Sequence, residues 1–203
     1  MSKRFSHHGI LFVVSAPSGA GKTTLVEAIR QTAKLFYSVS CTTRAPRSGE
    51  INGKHYQFLS HADFLARLEA GDFLEHAQVH GDFYGTLRKP VLTNLNNGVD
   101  VLIDIDTQGA AIIRDCDDPV IRQALTDVFI MPPDLDELRR RLRKRGSETE
   151  KQIKRRLETA KREMELWRDY RYTIISGSVD EDLEKFRNIM AAESYLSRRL
   201  IQK

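Results

Sequence analysis

The sequence predicts an α/β fold, a parallel sheet covered by helices on both faces. Three observations carry that expectation. Short apolar runs rich in β-branched residues alternate with segments whose apolar residues recur at helical spacing. The glycine-bearing and charged motifs fall directly after the apolar runs, at the carboxyl ends of strands, where open parallel sheets bind their ligands. The chain has 203 residues, 40% hydrophobic and 30% charged, the size and balance of one folded domain.

Taken in order, residues 9–15 (GILFVVS) read as a buried strand and residues 22–33 as a helix with Leu25, Ala28 and Ile29 on its apolar face. Residues 36–40 form a short strand, and the polar stretch 40–56, with Pro46, Gly49 and Gly53, reads as loop with a short strand. Residues 60–70 form a helix with Phe64, Leu65 and Leu68 on one face, stopped by Gly71. A helix over 90–97 ends at Gly98, and a second buried strand covers 99–105 (VDVLIDI). A third strand, 127–131, stops at Pro132-Pro133, and a basic helix follows over 135–144. Ser147 to Glu150 has the spacing of a capping box, so a further helix starts there. A strand over 172–175 and an amphipathic helix over 179–200 complete the alternation, with no repeat or low-complexity tract.

Composition narrows the setting. The apolar run 10–14 has five residues, against roughly 20 for a membrane-spanning helix. The opening MSKRFSHHG lacks the apolar stretch of a secretory signal. Cys41 and Cys116 are far apart and form no CxxC, which argues against a disulfide scaffold or a cysteine zinc site and fits a reducing cytoplasm. His76 and His80 stand four apart without a third ligand, so no histidine metal site is expected. The net charge of +4 is unevenly spread: residues 138–171 hold 14 Lys/Arg against 6 Asp/Glu, and the rest holds 18 against 22. A basic block this dense suits an anionic partner, either nucleic acid or a polyphosphate.

The stretch Ala16-Pro17-Ser18-Gly19-Ala20-Gly21-Lys22-Thr23 favours the polyphosphate. It lies between the first strand and the first helix, which is the context of a phosphate-binding loop. Its glycines let successive backbone N–H groups turn inward, and the helix dipole adds positive charge at the same place. Lys22 can bridge the β- and γ-phosphates of ATP, and the Thr23 hydroxyl can bind Mg²⁺. The loop departs from the usual pattern at Ala16, where a glycine normally stands. Asp104 ends the second buried strand, where a carboxylate needs a partner such as a metal or metal-bound water. Arg44 and Arg47 lie three apart in a donor-rich loop and offer planar forks that match phosphate oxygens.

The blocks SAPSGAGKTT, SVSCTTRAPRSGEINGKHYQF, FLEHAQVHGDFYGT, VLIDIDTQG and RGSETEKQIKRR resemble, in order and spacing, those of the guanylate kinase family. The resemblance runs over almost the whole chain. It implies a P-loop nucleoside triphosphate hydrolase-like core with an inserted GMP-binding region and a helical lid. The implied domain covers 9–192, with core segments 9–38, 91–137 and 167–192, a GMP-binding region at 39–90 and a lid at 138–166. Residues 193–203 are then the end of the last helix and a tail. The implied activity is Mg²⁺-dependent phosphoryl transfer from ATP to GMP in purine nucleotide metabolism, with dGMP left open as a further acceptor and no nucleic-acid or membrane partner. By position, the ligands of the GMP phosphate fall on Arg44, Arg47, Tyr56 and Tyr84, and the guanine-facing set on Ser40, Glu75, Thr86 and Asp106. The lid arginines fall on Arg141, Arg145 and Arg156, and Asp104 matches the acidic residue near metal and phosphates.

The chemistry of guanine agrees with that set. Glu75 can accept from N1–H and the 2-amino group together, and the Ser40 and Thr86 hydroxyls can donate to O6. AMP presents the opposite pattern, and sites built on such bonds reject the wrong base by up to ~10⁴–10⁵-fold. After the last strand the family often has Asn-Asp; here Ser176-Gly177 stands in its place. The rival readings are a ribose 1,5-bisphosphate kinase, a guanylate-kinase-like module that binds phosphopeptides, and a nucleic-acid binder using the basic block. The first needs no guanine site, the second has typically lost the ATP loop, and the third lacks an interleaved aromatic platform.

Overall fold

The computed structural model describes residues 5–79, 81–145 and 149–202, with Phe5, Ser6 and Arg145 described by backbone alone. The elements open with β1 (Phe5–His7), β2 (Leu11–Ser15), α1 (Lys22–Thr32) and β3 (Phe36–Tyr37). Next come β4 (Cys41–Thr42), β5 (Gln57–Phe58), α2 (His61–Glu69), β6 (Phe73–Val79) and β7 (Asp82–Leu87). The chain continues through α3 (Arg88–Asn96), β8 (Val101–Asp104), α4 (Thr107–Arg114), α5 (Pro119–Ala124) and β9 (Leu125–Met131). It ends with α6 (Leu135–Arg145), α7 (Glu150–Met164), β10 (Tyr172–Ile175), α8 (Val179–Ser194) and β11 (Leu200–Gln202).

The main sheet is parallel, in the order β10-β9-β2-β8-β3. The strand pleat sends alternate side chains to opposite faces. Leu11 and Val13 of β2 therefore join Val101, Ile103, Ile113 and Phe129 in one core layer. Ile10, Phe12 and Val14 join Leu25, Ile29, Leu102, Ile130 and Phe186 in the other. All of these side chains are buried, as the unbroken apolar runs of a sheet covered on both sides require. Because β2 is central, the loop that follows it opens at the middle of the sheet's carboxyl edge.

A second, four-stranded sheet in the order β5-β4-β7-β6 lies between the first and second halves of the main sheet in sequence. It is held to α2 by an aromatic stack: Phe64 lies 4.4 Å from Phe73 and 5.3 Å from Phe83, ring centre to ring centre. Ser60 caps α2 by accepting from the Asp63 N–H, and Gly71 at φ 71° turns the chain out of it.

Three local expectations change. The helix expected over 179–200 stops at Ser194. The reason is Arg199, fully buried, which donates to the carbonyls of Gln123, Ala124 and Leu125 and pairs with buried Glu193 at 2.6 Å. That anchor turns the chain so that β11 pairs antiparallel with β1. The capping box expected at Ser147–Glu150 is formed instead by Thr149 and Gln152; Ser147 and Glu148 lie outside the described residues. Finally, α4, α5 and the β6–β7 hairpin have no counterpart in the sequence reading.

Candidate active site

The turn from β2 into α1 places Gly19 at φ 96° and Gly21 at φ 105°, a backbone that L side chains rarely adopt. Ala16, partly buried, packs against the core layer beneath the loop. Lys22 opens α1 and makes an ion pair with Asp104 at the end of β8 while donating to the Ile105 carbonyl at 2.7 Å. The adjoining strands β2 and β8 thus deliver a lysine and a carboxylate to one point. Thr23 is exposed at the rim.

A cavity of about 290 Å³ opens beside this pair. Its walls include Lys22, Thr23, Ser40, Tyr56, Glu75, Tyr84, Asp104 and Asp106. Glu75 is 4% exposed and its Oε1 accepts from the Thr86 hydroxyl at 2.6 Å, across the directly paired residues of β6 and β7. A register shift between Phe73 and Glu75 lets three consecutive residues of β6 be buried and turns the carboxylate toward the cavity. Burial pushes the Glu75 carboxyl up to about 7, helped by nearby Asp106 and opposed by the bond from Thr86. The Thr86 hydroxyl gives its proton to Glu75 and so orients the acid. Asp106 caps α4 by accepting from the Gly109 N–H at 2.8 Å.

Arg44 is held ready by Glu50, whose two oxygens accept from Nη2 at 2.9 and 3.0 Å. Its guanidinium lies 5.5 Å from the Tyr56 ring, which meets Tyr84 edge-on at 6.0 Å. These bonds hold the Glu50 carboxyl below the usual range. Arg47 is exposed on the same loop, its N–H bonded to Glu50. Arg44, Tyr56 and Tyr84 are thus gathered at one edge of the cavity, with Arg47 outside it.

The two basic helices lie over the phosphate loop. Leu138 and Leu142 of α6 sit so close to Gly19 that a Cβ there would fall 3.0 and 2.8 Å from them. Arg141 donates through Nη1 to the Ala20 carbonyl at 2.8 Å and to Ser176 Oγ at 2.9 Å, and through Nε to Glu137 at 2.7 Å. Arg156 of α7 donates to the Ser18 hydroxyl at 3.1 Å. A groove of about 690 Å³ runs between the loop residues Ala16–Gly19 and Gln152, Arg155, Arg156, Thr159 and Glu163 of α7. The side chain of Arg145 lies outside the described residues, as does His80.

The comparisons with known proteins decide what this arrangement belongs to. The family model described as Guanylate kinase matches residues 9–193. The chain belongs to the guanylate kinase family. A guanylate kinase of Hahella chejuensis is 44% identical over 186 residues, covering 91% of this chain and 87% of the relative. A guanylate kinase of Salmonella typhi is 45% identical over 188 residues, covering 91% and 88%. The crystal structure of guanylate kinase from Anaplasma phagocytophilum superposes with a TM-score of 0.79 at 34% identity, covering 98% of this chain and 93% of that one. The family is a phosphotransferase family built on the P-loop α/β fold, as the sheet order and the loop after β2 already require.

Four residues of the guanylate kinase-type site escape the sequence reading. Glu50 holds Arg44, Glu137 holds Arg141, Glu163 lines the groove with one buried carboxylate oxygen lacking a hydrogen-bond partner, and Gly109 backs Glu75. Each acidic one stands near a basic residue that was read. A search for carboxylates within a helical turn of the lid arginines would have found Glu137.

Proposed function

We propose that the chain transfers the γ-phosphoryl group of ATP to GMP in the cleft between the phosphate loop and the second sheet. The observation that carries this reading is the buried acid: Glu75, fixed by Thr86, lines a cavity that Lys22 also lines. A carboxylate there accepts from the adjacent N1–H and 2-amino donors of guanine, and Ser40 at the cavity wall donates to O6. Arg44, Arg47, Tyr56 and Tyr84 hold the acceptor phosphate. An oxygen of that phosphate attacks the γ-phosphorus, the bond to the β–γ bridging oxygen breaks, and ADP leaves. The acceptor is its own nucleophile, so no protein base is needed. Lys22, Arg141, Arg145 and Arg156 offset the negative charge spread over the migrating group.

The donor set at the cleft suits a hard cation. The Thr23 hydroxyl and the Asp104 carboxylate are oxygen ligands, and Mg²⁺ binds through one or two such groups together with phosphate and water. The ion would neutralise phosphate charge.

We assign residues 39–90 to acceptor binding and 138–166 to the lid, within a domain over 9–192. No helix among the described residues is long and apolar enough to cross a membrane. The free thiols of Cys41 and Cys116 suit the cytoplasm, where we place the reaction. The test is ADP formation from Mg-ATP with GMP, dGMP, AMP, CMP, UMP and ribose 1,5-bisphosphate as separate acceptors. Turnover confined to the guanine nucleotides is expected. Turnover with the ribose phosphate alone would refute the guanine site and keep the phosphate loop.

A further inference from the structure

Gly109 is the third residue of α4, and its Cα faces the back of the Glu75 carboxylate. A Cβ built there would lie 2.7 Å from Glu75 Oε2, 3.2 Å from Glu75 Cδ and 3.3 Å from Ile105 Cδ1. Real methyl groups do not approach an oxygen that closely, so one of the two must give way. The helix cannot retreat freely, since the Gly109 N–H is bonded to Asp106 Oδ1 and the residue is buried against Ile105. Glu75 cannot retreat without loss either: its other oxygen holds the Thr86 hydroxyl at 2.6 Å and the side chain is enclosed. Nothing about the backbone explains the glycine, because Gly109 is not among the glycines with positive φ. Alanine would be the better helix former at this position. The missing Cβ thus has one visible consequence, the room taken up by the acid.

We propose that Gly109 is a positioning residue for base selection: its bare Cα sets where the Glu75 carboxylate stands, and so sets the preference for a base with two neighbouring donors. The proposal rests on Glu75 reading guanine. Two parallel bonds to N1–H and the 2-amino group require both oxygens at the right depth and angle. A displaced acid keeps one bond and loses the other. The chemical class singled out is therefore the 2-amino-6-oxopurine nucleotide against the 6-oxopurine nucleotide that lacks the amino group, that is, GMP against inosine monophosphate.

The experiment is Gly109→Ala, read by KM and kcat for GMP and for inosine monophosphate, KM for ATP, and thermal unfolding. The expected result is a roughly 10- to 100-fold rise in KM for GMP, the size of a lost hydrogen bond to a charged group. The GMP-over-inosine preference should collapse by a similar factor, with KM for ATP within about twofold and the melting temperature lowered by no more than a few degrees as the acid shifts. A loss of packing alone would weaken both acceptors equally. An unchanged preference in a folded Gly109→Ala protein overturns the proposal. Glu75→Gln separates it from the reading beneath it. If Glu75→Gln leaves the preference intact, the guanine assignment itself is wrong. If Glu75→Gln abolishes the preference and Gly109→Ala does not, only the role of Gly109 fails. Should Gly109→Ala lower the melting temperature further, Glu75→Asp in the same chain decides. The shorter acid removes the collision and restores stability, and failure to restore it counts against the proposal.

Discussion

The donor and acceptor ends of the cleft handle charge in opposite ways. At the donor end Lys22 and Arg141 are already matched inside the protein: Lys22 with Asp104, Arg141 with Glu137, Ser176 and the Ala20 carbonyl. These groups stay partly open to water, and nucleotide phosphate exchanges for partners that are present. At the acceptor end Glu75 is enclosed, hydrogen-bonded by Thr86, and burial rather than pairing governs it. An open matched site buys affinity for any polyphosphate, whereas a closed acid asks for one pattern of donors. On the proposed function, selectivity is then assigned to the second sheet and rate to the phosphate loop.

The largest effect should come from the donor end. Lys22→Met removes the one side chain that both opens α1 and reaches Asp104, and turnover should fall by about 10³-fold or more with GMP selectivity retained among the residual events. Near-normal turnover would separate the loop from the chemistry and dissolve the contrast.

The middle effect is a pH dependence peculiar to the acceptor end. Guanine needs Glu75 charged, while burial holds its pKa at about 7. Below that pH the proton must be expelled before GMP binds, so KM for GMP should rise about tenfold per pH unit below 7 and level off above it. KM for ATP should not follow, and Glu75→Gln should flatten the profile. For folding alone the raised pKa means that this group's contribution is lost as pH climbs through 7; the charged acid is a cost that the donors of GMP offset. A KM for GMP that is constant through pH 6 would show that Glu75 is ionised in the free protein.

The smallest effect tests how tightly the donor end is matched. Ser176→Ala deletes the 2.9 Å bond to Arg141 but leaves those to Ala20 and Glu137. KM for ATP should rise by only about two- to tenfold, the worth of one neutral partner. The neighbouring Gly177 sharpens the point: a Cβ there would strike the Glu181 carboxylate that closes the cap of α8. An Asp at 177 would have to push that exposed, flexible carboxylate aside, and at 176 the serine hydroxyl holds Arg141.

What could be read in advance follows from the same contrast. The phosphate loop, its flanking strand and helix, and the strand over 172–175 were legible because each is a local pattern: an unbroken apolar run, an apolar stripe, glycines before a lysine. The acceptor end was legible only as a resemblance of blocks. Its hairpin hides because Phe73, Leu74 and Glu75 break the alternation that marks a strand, the register shift being invisible without its partner. Thr107 to Arg114 opens on Thr-Gln-Gly, of which Thr and Gly are poor helix formers, and forms because Asp106 caps it and Ala110 and Ile113 are buried. Gly109 carries no signal in one sequence, since its reason is a side chain 34 positions away in the chain. The final helix was read too long because nothing local says that Arg199 will be drawn inward.

That last arginine has a consequence for the order of assembly. The seam between β1 and β11 joins residues separated by almost the full described chain, and contacts so distant repay their loop-closure entropy late. The receptacle for Arg199 is made of the Gln123, Ala124 and Leu125 carbonyls together with Glu193 and Thr126, so it exists only once β9 has entered the sheet and α8 has docked. A chain with β9 misregistered has no receptacle to offer, and its end stays unseated. The seam thus depends on the finished sheet for the groups that hold it.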